Sequence, residues 1–311
     1  MEQSSTPYDD AFRTLLVYCS RLILYLINEA FGEHYSGDEE IRFSQNEHFL
    51  KWPEGEEKRI TDSSFEVTGK DGRKKKYHFE VQSTDDGSLL LRMMQYDMMI
   101  ALESGSVEAN VIKVTFPHSA VLFLRRTEKT PEALFVRLET PGGDVEYPVA
   151  VMNVQDYGID EIFAKKLYFL IPFYIFTHEK RFGQYEKSDE KLGTLIAEYT
   201  EILRRLGELA ETGEIADFTR RELLDMSVHV LNGIAKKYTN VRKGVESVMG
   251  GKIIETEATK ILKRGIDEGR AEGHTNGMIE MVRNFLKADT PMEYIVKASG
   301  MSEEAIRALA T

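Results

Sequence analysis

The chain has 311 residues, 42% hydrophobic and 30% charged, with a formal net charge of −12. That length can bury one large core or two smaller ones, and the longest apolar run, LYFLIPFYIF at 167–176, is about half a membrane span and contains a proline. The acidic balance argues against a broad nucleic-acid-binding surface, because phosphate contacts need Lys and Arg; GRKKK at 72–76 and LRR at 124–126 are the local basic patches.

In chain order, YDDAFRTLLVYCSRLILYLINEAFG at 8–32 has helical apolar spacing and predicts one helix, with Asp9 or Asp10 as N-cap and Gly32 as stop. Its Cys19 is the single cysteine of the chain and cannot form an internal disulfide. With no basic and apolar leader in MEQSSTPYDD, a reducing cytoplasm is the expected setting. Residues 33–58 read as polar and irregular. SSFEVTG, KDGRK and KYHFEVQS then predict strand, turn and strand, with Asp71-Gly72 as the hairpin signal. SLLLRMMQYDMMIALESG at 88–105 predicts a helix, and AVLFLRR, ALFVRLET and VEYPVAVMNVQ predict short strands, the last two joined by a turn at TPGGDV. The order is that of a mixed α/β layer architecture.

From about residue 159 the pattern becomes helical: DEIFAKKLYFLIPFYIF, SDEKLGTLIAEYTEILRRLGELAETG and DFTRRELLDMSVHVLNGIAKKY each predict a helix. Near 250 it changes again. Gly265, Gly269, Gly273 and Gly277 recur every fourth residue, on one side of a helix, which suits close approach of a second helix. TPMEYIVKASGMSEEAIRAL reads as two short helices about Ser299-Gly300. The expected division is an α/β domain at 1–158, a helical region packed on it at 159–250 and a glycine-periodic helical tail at 251–311.

The strand YHFEVQS raises a chemical question. Side chains alternate along a strand, so Phe79 and Val81 face one way and His78, Glu80 and Gln82 the other. An edge strand with a wet face is the plain explanation. The chemical one starts from the hairpin: a turn about Asp71 brings residues whose numbers sum to about 142 opposite each other, which puts Asp62 across from Glu80 to within one residue of register, with side-chain carbons roughly 5 Å apart. Opposed carboxylates repel, and a divalent cation such as Mg²⁺ offsets the repulsion by taking their oxygens. Gln82, two residues along the same face, can orient a water or a phosphate oxygen.

ITDSSFEV followed by KKYHFEVQSTDDGSLLLRMMQYDMMIAL resembles the PD-(D/E)XK nuclease superfamily, and more narrowly its Rpn-type recombination-promoting nuclease and transposase family. NEHFL, FPHSAVLFLRR, DEIFAKKLYFLIPFYIF and the glycine-every-four tail extend the likeness over most of the chain. The resemblance implies an α/β fold with a restriction-endonuclease-like core, a mixed central sheet flanked by helices, followed by an α-helical C-terminal region. It implies a Mg²⁺- or Mn²⁺-dependent DNA endonuclease in which Asp62 and Glu80 hold the metal and Gln82 stands in the lysine position, a departure because Gln carries no charge. A catalytically inactive binding or scaffold protein of the same fold is the alternative, and RNA the alternative substrate. Glu29 is a further metal-ligand candidate, with Glu47 as its alternative. Arg92 and Tyr96, one helical turn apart on one face, are the substrate-binding candidates, Arg92 for the scissile phosphate; its competing partners are Asp85 and Asp86.

The tail has its own expected outcome. Truncation before Glu255 leaves the remainder folded and lowers the mass seen in light scattering by more than the deleted residues, as loss of self-association through the C-terminal helices requires. Equal oligomeric states at tens of micromolar, on the order of a weak-dimer Kd, rule that role out.

Overall fold

The computed structural model describes residues 6–43, 47–52, 55–60, 63–83, 87–103, 105–249 and 303–309, together with isolated positions between 279 and 296. The chain divides into two compact units, Met1–Ile253 and Ile254–Thr311. Asp62, Asp85, Asp86 and the glycines at 265, 269, 273 and 277 lie outside the described residues, and of Glu47 only the backbone is described.

The first unit opens with α1 (Pro7–Tyr18) and α2 (Ile23–Phe31). The expected single helix is broken at Cys19–Leu22, and the two halves meet at 104°. The break has a packing reason. Helix α1 buries one stripe, Ala11, Phe12, Leu15 and Leu16, and packs against the later helix α7, whereas α2 buries Ile23, Leu24, Leu26 and Ile27 and reaches the sheet. A straight helix cannot lay one stripe on both surfaces. The N-cap is Thr6, not Asp9 or Asp10: Asp9 N–H donates to Thr6 Oγ1 (3.3 Å) and Thr6 N–H to Asp9 Oδ2 (3.1 Å), a reciprocal capping box. Gly32 ends α2 at φ +65°, as expected of a glycine stop.

A six-stranded mixed sheet follows, in the order β1-β4-β5-β8-β10-β9. Its strands are β1 (Glu40–Phe43), β4 (Ser63–Thr68), β5 (Lys74–Gln82), β8 (His118–Phe123), β9 (Leu134–Thr140) and β10 (Gly143–Asn153). Strands β1, β4 and β5 are antiparallel; β5, β8 and β10 run parallel; β9 is antiparallel to β10. Two small hairpins lie apart from it, β2 (Glu47–Trp52) with β3 (Gly55–Ile60) and β6 (Ser106–Glu108) with β7 (Val111–Lys113). Residues 33–58, expected to be irregular, thus contain β1 and most of the first hairpin. Helix α3 (Leu89–Glu103) is the crossover from β5 to β8.

The β4–β5 turn forms where Asp71-Gly72 predicts it. Gly72 takes φ +75°, its N–H donates to Gly69 O (2.9 Å), and Asp71 Oδ1 accepts from Arg73 N–H (2.9 Å). The pairs Ser63↔Phe79 through Thr68↔Lys74 all sum to 142, the expected register.

Helices cover both faces of the sheet. Phe65, Val67, Phe79, Val81, Ala120 and Leu122 face the main core with α1 and α2; Val121, Phe123, Val136 and Val149 face Leu89 and Met93 of α3. Strand β5 is therefore an interior strand covered on both sides, not an edge with a wet face.

After residue 158 come α4 (Ile159–Ala164), α5 (Phe182–Tyr185), α6 (Asp189–Glu211), α7 (Asp217–Ile234) and α8 (Thr239–Met249), whose apolar residues join the same main core. The expected helix at 160–176 is interrupted: Lys166 sits at φ +57°, and Tyr168–Thr177 forms 3₁₀ turns. Pro172 has no N–H to give to an α-helical ladder. Among the described residues no single helix is long and apolar enough to cross a membrane. In the second unit α9 (Glu303–Ala308) contributes Ile306 to a small cluster with Val282 and Ile295.

Helix α7 touches α1 at Gly233, where an added Cβ would sit 2.6 Å from Pro7 Cβ. Gly233→Val therefore costs about 1–3 kcal/mol by overpacking, while Gly207→Ala, on α6 with open space around it, gains up to about 1 kcal/mol in helix propensity. Urea denaturation of the two variants checks the contrast.

Candidate active site

The polar face of β5 is closed over by α3, and its groups find partners there. His78 and Asp97 are fully buried, and Glu80 is 5% exposed. His78 Nδ1 lies 2.7 Å from Asp97 Oδ1 and His78 Nε2 lies 3.2 Å from Glu80 Oε1. Ser119 of β8, the register partner of His78, donates its hydroxyl to the same Asp97 oxygen (2.6 Å). Tyr147 of β10 donates to Asp97 Oδ2 at 3.5 Å, and the Tyr96 ring meets the His78 ring edge-on at 5.8 Å. Ser64, opposite His78 on β4, is buried, and its Oγ has no hydrogen-bond partner among the described residues.

Burial is the largest influence on the His78 imidazole and opposes its charge. Hydrogen bonds to Asp97 and Glu80 and their negative charges together outweigh it and raise the pKa to about 9. Near neutral pH the ring is then an imidazolium that donates from both nitrogens, one to each carboxylate.

Toward the C-terminal end of β5 the site opens. Gln82 and Arg92 are half-buried. Arg92, one turn into α3, donates from Nη2 to Gln82 Oε1 (3.0 Å) and from Nη1 to Ser88 Oγ (2.8 Å). A permanent cation therefore stands beside the carboxamide in the expected lysine position.

Of the residues singled out from sequence, Glu80, Gln82, Arg92 and Tyr96 come together on one face between β5 and α3. Glu29 does not join them. It belongs to α2, which covers the other face of the sheet, and its carboxylate accepts from Tyr157 OH (3.2 Å) and Lys165 Nζ (2.8 Å). Asp62 is the next position beyond the described register, and its side chain is not described. Among the described residues no group of three His, Cys, Asp or Glu side chains is gathered as a metal-ligand set. The basic patches are engaged in ion pairs: Arg73 with Asp71, Lys74 with Glu66, Lys75 with Glu33, Arg125 with Glu179 and Arg126 with Asp156.

His78, Asp97 and Ser119 were not nominated from sequence as site residues. Alternation places His78 beside Glu80, but nothing in RMMQYDMMI distinguishes Asp97 from a solvent-facing acid. A second buried histidine, His178, has Nε2 3.0 Å from Glu198 Oε2 and Nδ1 2.9 Å from Arg181 Nη2. A guanidinium only donates, so Nδ1 carries a lone pair, and burial holds this ring's pKa below its ordinary value. It is a neutral structural ring in the helical layer.

Comparison with protein-family models, with curated proteins and with solved structures finds no match to this chain. The case for a function rests on the residues themselves.

The raised His78 pKa gives a signed prediction. Its stabilising contribution is complete below the unfolded pKa of about 6.5 and is lost as pH rises through about 9. The stability gap between wild type and His78→Gln, read from urea midpoints, is therefore widest in mildly acidic buffer and narrows toward pH 9. A gap that does not change with pH contradicts the imidazolium assignment.

Proposed function

We propose that the chain is a metal-dependent DNA endonuclease of PD-(D/E)XK type, hydrolysing phosphodiester bonds in recombination or mobile-element processing. The observation that carries the reading is the alignment on β5 and α3 of a carboxylate, Glu80, with a carboxamide–guanidinium pair, Gln82–Arg92, at the open end of a shielded polar face. The element order supports it: helices, then antiparallel β1, β4 and β5, then the crossover α3 to parallel β8. Ligands in open α/β sheets bind beyond the carboxyl ends of parallel strands, which is where β5 delivers Gln82.

The donor chemistry fits a hard cation. Mg²⁺ keeps several waters and takes one or two carboxylates together with substrate phosphate oxygens, so a complete protein cage is not required. In this reading Glu80 supplies one carboxylate, and Asp62, which lies outside the described residues, supplies the other. A bound Mg²⁺ or Mn²⁺ would polarise the phosphodiester and acidify a water. The chain's own residues do the rest. Glu80 is held by His78, Gln82 accepts from the Arg92 guanidinium through its oxygen, and in this reading Arg92 is the cation placed toward the substrate phosphate. Arg92 thereby brings the positive charge that Gln82 lacks. Tyr96 shields the imidazole from solvent.

The ion-paired basic patches favour a second reading, a binding or scaffold protein that keeps the fold without cleavage. One assay separates the two. Supercoiled plasmid is nicked with Mg²⁺ and not with chelator, and an RNA of equal length tests the substrate. Glu80→Gln abolishes nicking, Arg92→Ala lowers kcat about 10²-fold, the scale for one lost transition-state donor, and Gln82→Lys in the Arg92→Ala background restores part of it. Nicking that survives chelation or Glu80→Gln sinks the endonuclease reading. A folded wild-type protein with no nicking on either substrate favours the scaffold.

A further inference from the structure

Helix α3 carries apolar residues on every side. Leu89, Met93 and Ile100 are buried toward the sheet, yet Leu91 is 65% exposed and Leu102 51%, and a helix that is apolar all round is ordinarily covered all round. Among the described residues, seven of the ten large exposed apolar side chains fall between positions 90 and 114, on α3 and on the β6–β7 hairpin that follows it. We propose that this surface is a two-fold interface with a second copy of the chain, in which the α3 helices of the two copies pack antiparallel, Leu91 of each against Leu102 of the other.

The pattern along α3 is self-complementary. Leu91, Gln95, Met98 and Leu102 fall within about 60° of one another on the helix, on the side away from the sheet. Their spacings of four, three and four residues are those of a helix–helix seam, in which a single polar position such as Gln95 helps to fix register. The four are symmetric about a point between Tyr96 and Asp97, so an antiparallel two-fold sets Leu91 against Leu102 and Gln95 against Met98 at both ends alike. The hairpin extends this seam. Its register pairs Val107 with Ile112 on one face, exposed 74% and 59%, and Val114 follows on the same face. Gly105 N–H donates to Leu102 O (3.0 Å), and a Cβ added at Gly105 would lie 3.3 Å from Val114 Cγ1. The base of the hairpin therefore adjoins Leu102 and, across the two-fold, Leu90 and Leu91 of the other copy. Helix and hairpin together span about the 20–30 residues that one side of a standard interface uses, which the α3 seam alone does not. Charge points to the same occupant. Each copy carries −12, so two copies meet at least cost where charge is absent or already paired. The seam has no charged residue, and Glu108 and Lys113 pair with each other (2.6 Å) on the opposite face of the hairpin. Such a surface offers a polyanion nothing and suits an equally apolar one. Arg92, next in sequence to Leu91, then stands beside the hairpin base of the other copy.

The test uses the full chain, with mass followed by light scattering up to about 100 μM, beyond the Kd of a weak dimer, and folding checked by circular dichroism. The wild type runs as a dimer at the upper end of the range. Leu91→Lys and Leu102→Glu, each at an exposed position, weaken dimerisation at least about tenfold, the effect of losing one interface anchor. Leu91→Lys and Leu102→Glu combined in one chain recover the dimer, because the introduced lysine of each copy then meets the introduced glutamate of the other. A dimer formed through the C-terminal helices shows neither the loss nor the recovery. Val107→Lys, on the hairpin, weakens the dimer likewise and stands in for a helix variant that misfolds. A wild type that stays monomeric throughout, or a dimer that the folded single variants leave intact, overturns the interface. Loss in the single variants without recovery in the combined one overturns the antiparallel pairing.

Discussion

A histidine ring with no solvent exposure, held between two carboxylates, ties β5, α3 and β8 together. Desolvating three ionisable groups costs several kcal/mol per ion unless each finds its complement in good geometry. Here the complement is drawn from different elements: Glu80 from the same strand, Asp97 from the crossover helix and Ser119 from the neighbouring strand. Shifting β5 by one residue against β8 would exchange its polar and apolar faces, leaving His78 in the main core and Phe79 beneath α3. The polar cluster thus specifies register as well as chemistry, and the apolar clusters on the two faces agree with it.

The same constraint separates the two parts of the site. Below, the His78–Asp97 pair is sealed by Tyr96 and by the apolar contacts of Leu89 and Met93 with Val121, Phe123, Val136 and Val149. Above, Gln82 and Arg92 reach partial exposure where β5 ends and α3 begins. A rigid, dry base under an accessible rim is what a site needs if a carboxylate is to keep its geometry while substrate comes and goes. The main core on the opposite face, with α1, α2, the 3₁₀ segment at Tyr168–Thr177 and α6 to α8, provides the stiffness behind it.

In the proposed reading, acidic net charge and nucleic-acid chemistry are reconciled only locally. Most cations that the sequence offers as a basic patch are paired with acids: Arg73 with Asp71 in its own turn, Lys74 with Glu66 on the adjacent strand, and Lys75 with Glu33. The Arg92 guanidinium meets a carboxamide, Gln82, and a hydroxyl, Ser88, where β5 ends and α3 begins. Phosphate recognition in the proposed reading is thus a matter of a few placed donors and not of a broad field.

Local signals determined much of this protein. The Asp71-Gly72 turn set the β4–β5 hairpin and its register, because a short hairpin leaves a strand pair almost no freedom to slip. Period-two alternation assigned His78, Glu80 and Gln82 to one face, and period-3.6 spacing placed Arg92 and Tyr96 together on α3. Tertiary structure decided what those faces meet. That β5 is interior and its polar side buried, that the first helix bends at Cys19, that Tyr168–Thr177 winds as 3₁₀ turns and that β1 and the β2–β3 hairpin occupy a stretch without strong periodicity all depend on contacts between residues far apart in the chain. Asp97 is the clearest case. Nothing adjacent to it in sequence marks it as buried, and its role exists only because the crossover helix sets it against a histidine and a serine from two different strands, where desolvation makes each of those hydrogen bonds matter.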